Sequence, residues 1–313
     1  MSELIDIVCI GESLVELSSN ESLTYADTLN KYFGGDTMTT AVAASRLGSK
    51  VGYVTLVGND YLKDFLLDAW NCENLDLSQV KLSKGYNGLY FISRLKDGAK
   101  EFAYYRKKSA ATCLSEANIS KEYIQNSQIV YSTGITQSLS LCAREAVKTA
   151  FQAAKINEKQ VAYDINYTPG LWDEEEAKEA FEEVLPYIDI LFVSLEHDIK
   201  KLYSLCSSEL AAQYLADKGV SIVVIRERDG SVFIAYNGET VLIPSLEHQP
   251  VDTTGSGDAF NGGFMHGLLE GFSPFESARL ASVVTSFQVM GIGAIKSIPY
   301  KEEVYNKFKS ITQ

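Results

Sequence analysis

Asp252-Thr253-Thr254-Gly255-Ser256-Gly257-Asp258-Ala259-Phe260-Asn261-Gly262-Gly263-Phe264 is the stretch on which the reading of this chain turns. Gly255, Ser256 and Gly257 are small enough for the backbone to curl inward and aim successive N–H groups at one point. Phe260, Phe264 and Leu268 then recur at fourfold spacing, which predicts a helix over residues 259–269. A glycine-rich turn opening a helix gathers amide donors at the positive end of the helix dipole, which suits phosphate. Asp258 has no place in a plain anion site, because its carboxylate repels phosphate. Accepting the proton of a hydroxyl that attacks a held phosphoryl group gives it one. The competing reading is a glycine turn with Asp258 as an ordinary acidic helix start. Two neighbours favour the chemistry: Asp252-Thr253-Thr254 adds oxygen ligands upstream, and Gly262-Gly263 keeps the helix face slim.

Around this turn, short β-branched runs alternate with longer helical patterns. Strands are predicted at residues 5–10, 51–57, 129–133, 161–165, 188–193, 220–225 and 232–236. Helices are predicted at residues 37–47 (stopped by Gly48), 61–72, 141–155, 174–185, 209–218, 274–290 and 302–309. The alternation predicts an α/β fold, a mostly parallel central sheet with helices on both faces and ligands beyond the carboxyl ends of the strands. Two stretches break the rhythm. Residues 88–95 and 100–106 read as a hairpin joined by Lys96-Asp97-Gly98-Ala99. Residues 15–33 lack a helix signal and offer further strands. Such an insertion serves either as a lid that excludes water or as a plain edge hairpin. No repeat, low-complexity tract or linker divides the chain, which is read as one domain over residues 1–313.

The 313 residues are 46% hydrophobic, enough for a large core, and 41 acidic against 28 basic residues give a net charge of −13. That balance disfavours nucleic acid and anionic membrane as partners, so an anionic ligand has to be held by local donors. The five cysteines, Cys9, Cys72, Cys113, Cys142 and Cys206, are scattered and never paired as Cys-x-x-Cys. They read as reduced, mostly buried thiols of a cytoplasmic protein. His197, His248 and His266 are far apart in sequence and do not suggest a zinc site or a Ser-His-Asp hydrolase. The apolar opening at residues 5–10 has no basic lead or cleavage site, and no apolar run approaches membrane-spanning length.

Three more constellations sit at predicted element ends. Gly34-Gly35-Asp36 opens the 37–47 helix, where a carboxylate can accept hydrogen bonds from vicinal hydroxyls or simply cap the helix. Tyr104-Tyr105-Arg106 closes the hairpin, with residues 104 and 106 on one face. A tyrosine beside an arginine suits a substrate bearing hydroxyls and a carboxylate, and solvated strand-end charges are the alternative. Asp164-Ile165-Asn166-Tyr167 ends a strand at the expected ligand edge. No Gly-Lys-Ser/Thr follows a glycine loop, and Gly11 lacks companions at dinucleotide spacing, which argues against a Walker site and a nicotinamide dehydrogenase.

Gly34-Gly35-Asp36 with Ala41-Val42-Ala43 and Arg46-Leu47-Gly48, taken together with the run from Asp252 to Phe260, resembles the two signatures of the ribokinase-like (PfkB) carbohydrate kinases. The likeness runs from the first strand to near the C-terminus. It implies a ribokinase-like fold with a small β lid from about residues 12–33 and 86–107, and ATP-dependent phosphorylation of a sugar hydroxyl with Mg²⁺. It implies Asp258 as general base, the amides of Gly255, Ser256 and Gly257 as anion hole, and Ser194 and Arg226 with Gly255 and Gly257 on the nucleotide side. Metal ligands are left unassigned. Asp252 becomes a candidate contact for a monovalent cation. The lid can also mediate dimerisation in this family, so the resemblance allows a homo-oligomer joined through it.

Within the family, Tyr104-Tyr105-Arg106 running into Ser109-Ala110-Ala111, with Ser132-Thr133-Gly134-Ile135, Asp164-Ile165-Asn166-Tyr167 and Leu171-Trp172, looks most like the 2-keto-3-deoxygluconate kinases. That likeness implies Gly34, Gly35, Asp36, Tyr90, Tyr104, Tyr105, Arg106 and Asn166 as substrate-binding residues. Arg106 would take the carboxylate of the sugar acid, and the product would be the 6-phosphate. Fructokinases share much of the pattern. Thr39 stands where the family has an asparagine, Thr168 where it has an arginine, Glu227 where a glycine is common and Ser256 where alanine is usual. Residues 194–197 lack the Asn-x-x-Glu tied to magnesium. These departures make a non-catalytic sugar or nucleotide sensor on the same fold the alternative from another class.

Overall fold

The computed structural model describes residues 4–94, 100–246 and 249–312, so the turn at Lys96-Asp97-Gly98-Ala99 and His248 lie outside the described residues. Thirteen strands are formed among these. They are β1 (Ile5–Ile10), β2 (Leu14–Ser19), β3 (Asn30–Gly34), β4 (Val51–Gly58), β5 (Val80–Ser83), β6 (Leu89–Arg94), β7 (Lys100–Tyr105), β8 (Ser127–Thr133), β9 (Gln160–Asp164), β10 (Ile190–Ser194), β11 (Ile222–Arg226), β12 (Val232–Tyr236) and β13 (Glu239–Ile243).

Nine of them make one sheet in the order β13-β12-β11-β10-β9-β8-β1-β4-β5. All neighbours are parallel except that β12 runs antiparallel to β11 and β13. Each strand predicted from sequence falls on one of these. A parallel sheet is buried on both faces, which is why its strands read as near-continuous apolar runs. In β1 the pleat sends Ile7 and Cys9 into the core on one side and Val8 and Ile10 into the core on the other. The first core is covered by the helices Asp36–Leu47, Ser256–Leu269 and Pro274–Gln288. The second is covered by Leu141–Ile156, Glu174–Val184 and Ser208–Asp217.

Sequence reasoning missed β5 and β13. The β12–β13 turn was legible in Asn237-Gly238, where both residues take the positive φ (51° and 78°) that this pair supplies in a tight hairpin. The half-exposed Val-Lys-Leu-Ser of β5 carries too weak a pattern. One further expectation is corrected. Only Cys9 is buried, whereas Cys72, Cys113, Cys142 and Cys206 are exposed; scattered positions off the buried strands left them at the surface. Among the described residues no helix is long and apolar enough to cross a membrane.

The second sheet is the lid, in the order β3-β2-β6-β7. The stretch without a helix signal supplies β2 and β3, and the predicted hairpin supplies β6 and β7. β2 and β6 are parallel at its centre, flanked by antiparallel pairings. It stands over the carboxyl ends of the central strands.

One close contact fixes the floor beneath the lid. A Cβ on Gly262 would come within 2.5 Å of the Thr40 carbonyl oxygen and 2.7 Å of the Ala43 Cβ. The helix Ser256–Leu269 therefore lies directly on the Thr- and Ala-rich helix Asp36–Leu47. Gly262→Ala is expected to push them apart, at a cost of about 1–3 kcal/mol for overpacking. The melting temperature should fall by several degrees in a circular-dichroism melt, and an unchanged melt would remove this contact as a constraint.

Candidate active site

Two cavities open at the carboxyl ends of the central strands. One, of about 250 Å³, lies under the lid and reaches Asp36, Tyr104 and Arg106. The other, of about 740 Å³, spreads over the ends of β9, β10 and β11 and reaches Ser194, Arg226 and Gly257. Asn166, Gly255 and Asp258 line both. The glycine turn is therefore the partition between two chambers.

That turn is built as the sequence suggested, with one adjustment. The helix begins at Ser256, three residues earlier than predicted, so Asp258 stands in its first turn. Gly255 is the cap, with φ 75°, a left-handed conformation that favours glycine. A side chain there would also meet the Ala294 Cβ at 2.8 Å. The Ser256 amide donates to the Thr253 carbonyl at 3.2 Å. Ser256, expected as the third anion-hole donor, thus turns its N–H into its own loop. The Gly255 and Gly257 amides have no backbone acceptor among the described residues.

Asp36 and Asp258 stand at the starts of the two packed helices, which the Thr40 hydroxyl ties together by donating to the Asp258 carbonyl at 3.0 Å. Burial, then the Asp36 and Asp164 carboxylates, push the Asp258 carboxyl well above the usual range, against the Arg226 charge. Burial raises Asp36 as well, while the hydrogen bond from the Thr133 hydroxyl and the Arg106 charge pull it down. A half-buried carboxylate with raised proton affinity at the boundary of two chambers is suited to take a proton there.

Behind the turn, Arg226 Nη2 donates to both Asp164 oxygens at 2.9 Å and Nη1 to Asn261 Oδ1 at 2.9 Å. Asn261 Nδ2 returns to Asp164 at 2.7 Å. The guanidinium carbon lies 3.2 Å from where a Gly257 Cβ would be, so the cation is set beside the helix start. Asn166 holds φ 44°, a left-handed conformation that costs a non-glycine residue energy and places it at the partition. The Tyr167 amide after it donates to buried Asp198 at 2.7 Å, and Ser194 N–H donates to the same carboxylate at 2.6 Å. Burial, then the Asp164 charge, push Asp198 up to about 7. Ser194 ends β10, and its hydroxyl caps a π-helical turn, Leu195–Ile199, which sequence reasoning did not foresee.

On the lid side, Tyr90 and Tyr104 stack at 5.7 Å and line the smaller chamber. Gly34 lies beneath Tyr90, where a Cβ would be 2.7 Å from the phenol oxygen. Gly35, with φ 127°, lines the chamber beside Asp36. Tyr105 is a correction. It alternates to the opposite face of the strand, packs edge-on against Phe91 and is exposed, so it does not line the chamber. Arg106 does line it, just past the end of β7, but it is already engaged. Its Nε and Nη2 donate to Glu12 Oε2 at 2.8 and 2.6 Å, while Ser109 Oγ donates to Glu12 Oε1 at 2.5 Å. Ser109, Thr133 and Asn261, quoted in sequence motifs without a role, and Glu12 are the further residues that the structure brings to the site. Glu12 follows the end of β1 at the ligand edge, and that position was its one sequence signal. Thr39 Oγ1 is buried in the same chamber with no hydrogen-bond partner among the described residues.

Among the described residues no group of three or more His, Cys, Asp or Glu is arranged to hold a metal. Near the larger chamber, Asp164 is engaged by Arg226 and Asp198 by two amides. Such a donor set fits Mg²⁺ that comes with nucleotide phosphates and keeps most of its waters, rather than an all-protein cage.

Residues 4–301 match the model of the pfkB family carbohydrate kinases. The chain is 31% identical over 305 residues to a 2-dehydro-3-deoxygluconokinase of Dickeya dadantii, covering 93% of this chain and 96% of that one. A solved 2-dehydro-3-deoxygluconokinase from Thermotoga maritima superposes with a TM-score of 0.89 at 22% identity, over 97% of this chain and 99% of that one. A fructokinase with bound ATP from Xylella fastidiosa superposes with a TM-score of 0.87 at 21% identity, over 98% and 99%. The fold is ribokinase-like. With its paired chambers and glycine turn, the chain belongs to the pfkB family of carbohydrate kinases and is an ATP-dependent sugar kinase.

Proposed function

We propose that this enzyme phosphorylates a sugar acid, 2-keto-3-deoxygluconate, on its terminal hydroxyl to give the 6-phosphate. The observation that carries the reading is Asp258, half-buried at the wall shared by the two chambers. The sugar occupies the chamber under the lid, held by Asp36, Tyr90, Tyr104, Arg106 and Asn166. ATP occupies the chamber over β9–β11, near Ser194 and Arg226. Gly255 and Gly257 present amides to the phosphoryl group as it crosses between them. The sugar hydroxyl oxygen bonds to the γ-phosphorus, the bond to the bridging oxygen breaks, and ADP leaves. Asp258 takes the hydroxyl proton, and Arg226 and the two amides hold developing charge. Mg²⁺, when bound with the nucleotide, neutralises phosphate charge. One kinase domain suffices for this, with the lid excluding water and serving as the contact for a second copy.

Sugar-acid kinases at about 30% identity across nearly the full length support the acid substrate. One observation favours a neutral ketose such as fructose instead. Arg106 is already paired with Glu12, and Thr168 lines the chamber where a second cation would have stood. ADP release with 2-keto-3-deoxygluconate, fructose and ribose separates the two. Turnover confined to the acid supports the first reading, fructose turnover the second, and sugar binding without any turnover would mean a sensor.

Asp258→Asn is expected to lower kcat by about a hundredfold or more while ATP binding persists; near-normal kcat would remove Asp258 as the base. The same variant tests the electrostatics. Because burial raises the folded-state pKa of Asp258, its stabilising contribution is complete below the unfolded pKa of about 4 and is lost as pH rises through the folded value. Melting curves should show Asp258→Asn more stable than wild type at pH 7–8, with the gap closing toward pH 4. The opposite order would contradict the cost assigned to the half-buried carboxylate.

Arg106→Ala leaves Glu12 buried without its cation, which lowers stability whatever the substrate. The informative quantity is therefore a ratio within one variant. kcat/KM for the sugar acid should fall on the order of tenfold to a hundredfold more than for a neutral ketose, the worth of one charge-assisted hydrogen bond. Equal losses on both would exclude Arg106 as the carboxylate contact.

A further inference from the structure

The loop leading into the glycine turn is held by positively polarised groups that the chain itself provides. Asp252, the candidate contact for a monovalent cation, is buried, and both of its oxygens are engaged. Lys100 Nζ, from the first residue of β7 in the lid, donates to Asp252 Oδ1 at 2.6 Å and to Thr254 Oγ1 at 3.3 Å. Thr254 N–H and Oγ1–H reach the same carboxylate oxygen at 3.0 and 2.7 Å, and Gly293 N–H reaches Oδ2 at 3.0 Å. Burial by itself would raise the Asp252 carboxyl, but the bonds from Lys100, Thr254 and Gly293 hold it well below the usual range.

A second set of oxygens meets there. The Thr254 carbonyl accepts from Gln288 Nε2 at 2.8 Å, and the Gly293 and Ala294 carbonyls approach the same nitrogen at 3.4 Å each. Gln288 is fully buried, and its Oε1 has no hydrogen-bond partner among the described residues. Turned over, the amide would set that oxygen against three carbonyl oxygens, so its orientation is fixed by them. K⁺ or Na⁺ needs several oxygens aimed at one open place. Here the carboxylate is aimed at an ammonium and the carbonyls at an amide nitrogen. These residues do not fit a resident monovalent cation.

We propose that Lys100 and Gln288 stand in for such a cation, making the enzyme independent of monovalent metal ions. Lys100 is then a positioning residue: through Asp252 and Thr254 it sets the backbone of Gly255, and because it rides on the lid it links closure over the sugar to the shape of the anion hole. The linkage to catalysis rests on the kinase reading above. The replacement of the cation does not, and the experiment separates them.

Melting temperature and turnover are measured in KCl, NaCl and tetramethylammonium chloride at equal ionic strength. For the wild type, melting should move by no more than about 1 °C and turnover by less than about twofold among the three salts. Lys100→Met should lower kcat about tenfold in tetramethylammonium, and KCl should restore at least about threefold of that loss, with a K⁺-dependent rise in melting temperature. Lys100→Arg should keep most of the wild-type kcat. Gln288→Ala, a second route to an open site, should also gain a K⁺-dependent melting shift. Severalfold K⁺ activation or K⁺ stabilisation of the wild type would overturn the proposal. So would Lys100→Met with wild-type kcat, or a loss that neither K⁺ nor arginine repairs. If no sugar is turned over, the kinase reading fails by itself, and the salt dependence of melting still decides the cation question.

Discussion

The approach of the Ser256–Leu269 helix to the Asp36–Leu47 helix at Gly262 is the constraint on which the site depends. At that spacing the Thr40 side chain bridges to the Asp258 carbonyl, and both helices begin at the same place. Each start offers unpaired amides and the positive end of a dipole. Each also carries an aspartate in its first turn. Two partial positive charges converge there, and without them a buried and a half-buried carboxylate under one lid would cost far more. The same convergence puts Gly255 and Gly257 beside Asp258 at the wall between the chambers. Small residues on both helices are thus a requirement of the chemistry as well as of the packing.

Charge is sorted within this space. Asp36 has the Thr133 hydroxyl, and Asp164 has both Arg226 and Asn261. Among the described residues Asp258 has only the Arg226 charge set against burial and two neighbouring carboxylates. Asp36 and Asp258 therefore differ by their partners, and the less supported Asp258 is pushed further above the usual carboxylate range. Environments that push like groups apart are how one fold assigns acid and base roles. The −13 net charge of the chain adds no attraction for a nucleotide, so under the proposed reading Arg226 and the turn amides provide it locally.

The turn at Gly255 and the places of Asp36 and Asp258 at helix starts were legible in the sequence, because each sits in a run of glycines where backbone geometry is local. The parallel sheet was legible for a similar reason, since two-sided burial writes itself into each strand separately. Glu12, Thr133, Asn261, Lys100 and Gln288 were not. Their roles come from partners many positions away: Lys100 meets Asp252 across 152 residues and Arg106 meets Glu12 across 94. No pattern in a window of sequence encodes such pairs. Tyr105 was misplaced because the family likeness was carried over the whole Tyr-Tyr-Arg run, whereas strand alternation sends this residue to the outer face.

Arg106 shows why residue type alone under-determines the sugar. Glu12 and Ser109 fix the guanidinium before any substrate arrives, so little further ordering is required on binding. The same pairing compensates part of its charge, which lowers the advantage of an anionic substrate over a neutral one. A carboxylate entering this chamber gains the donors that Glu12 leaves over and loses some Coulomb energy to Glu12 itself. A hydroxyl entering it gains the same donors without that penalty. Under the proposed reading, selectivity is then a difference between two moderate numbers, set by how Glu12 aims Arg106 and by the neutral Thr168 across the chamber.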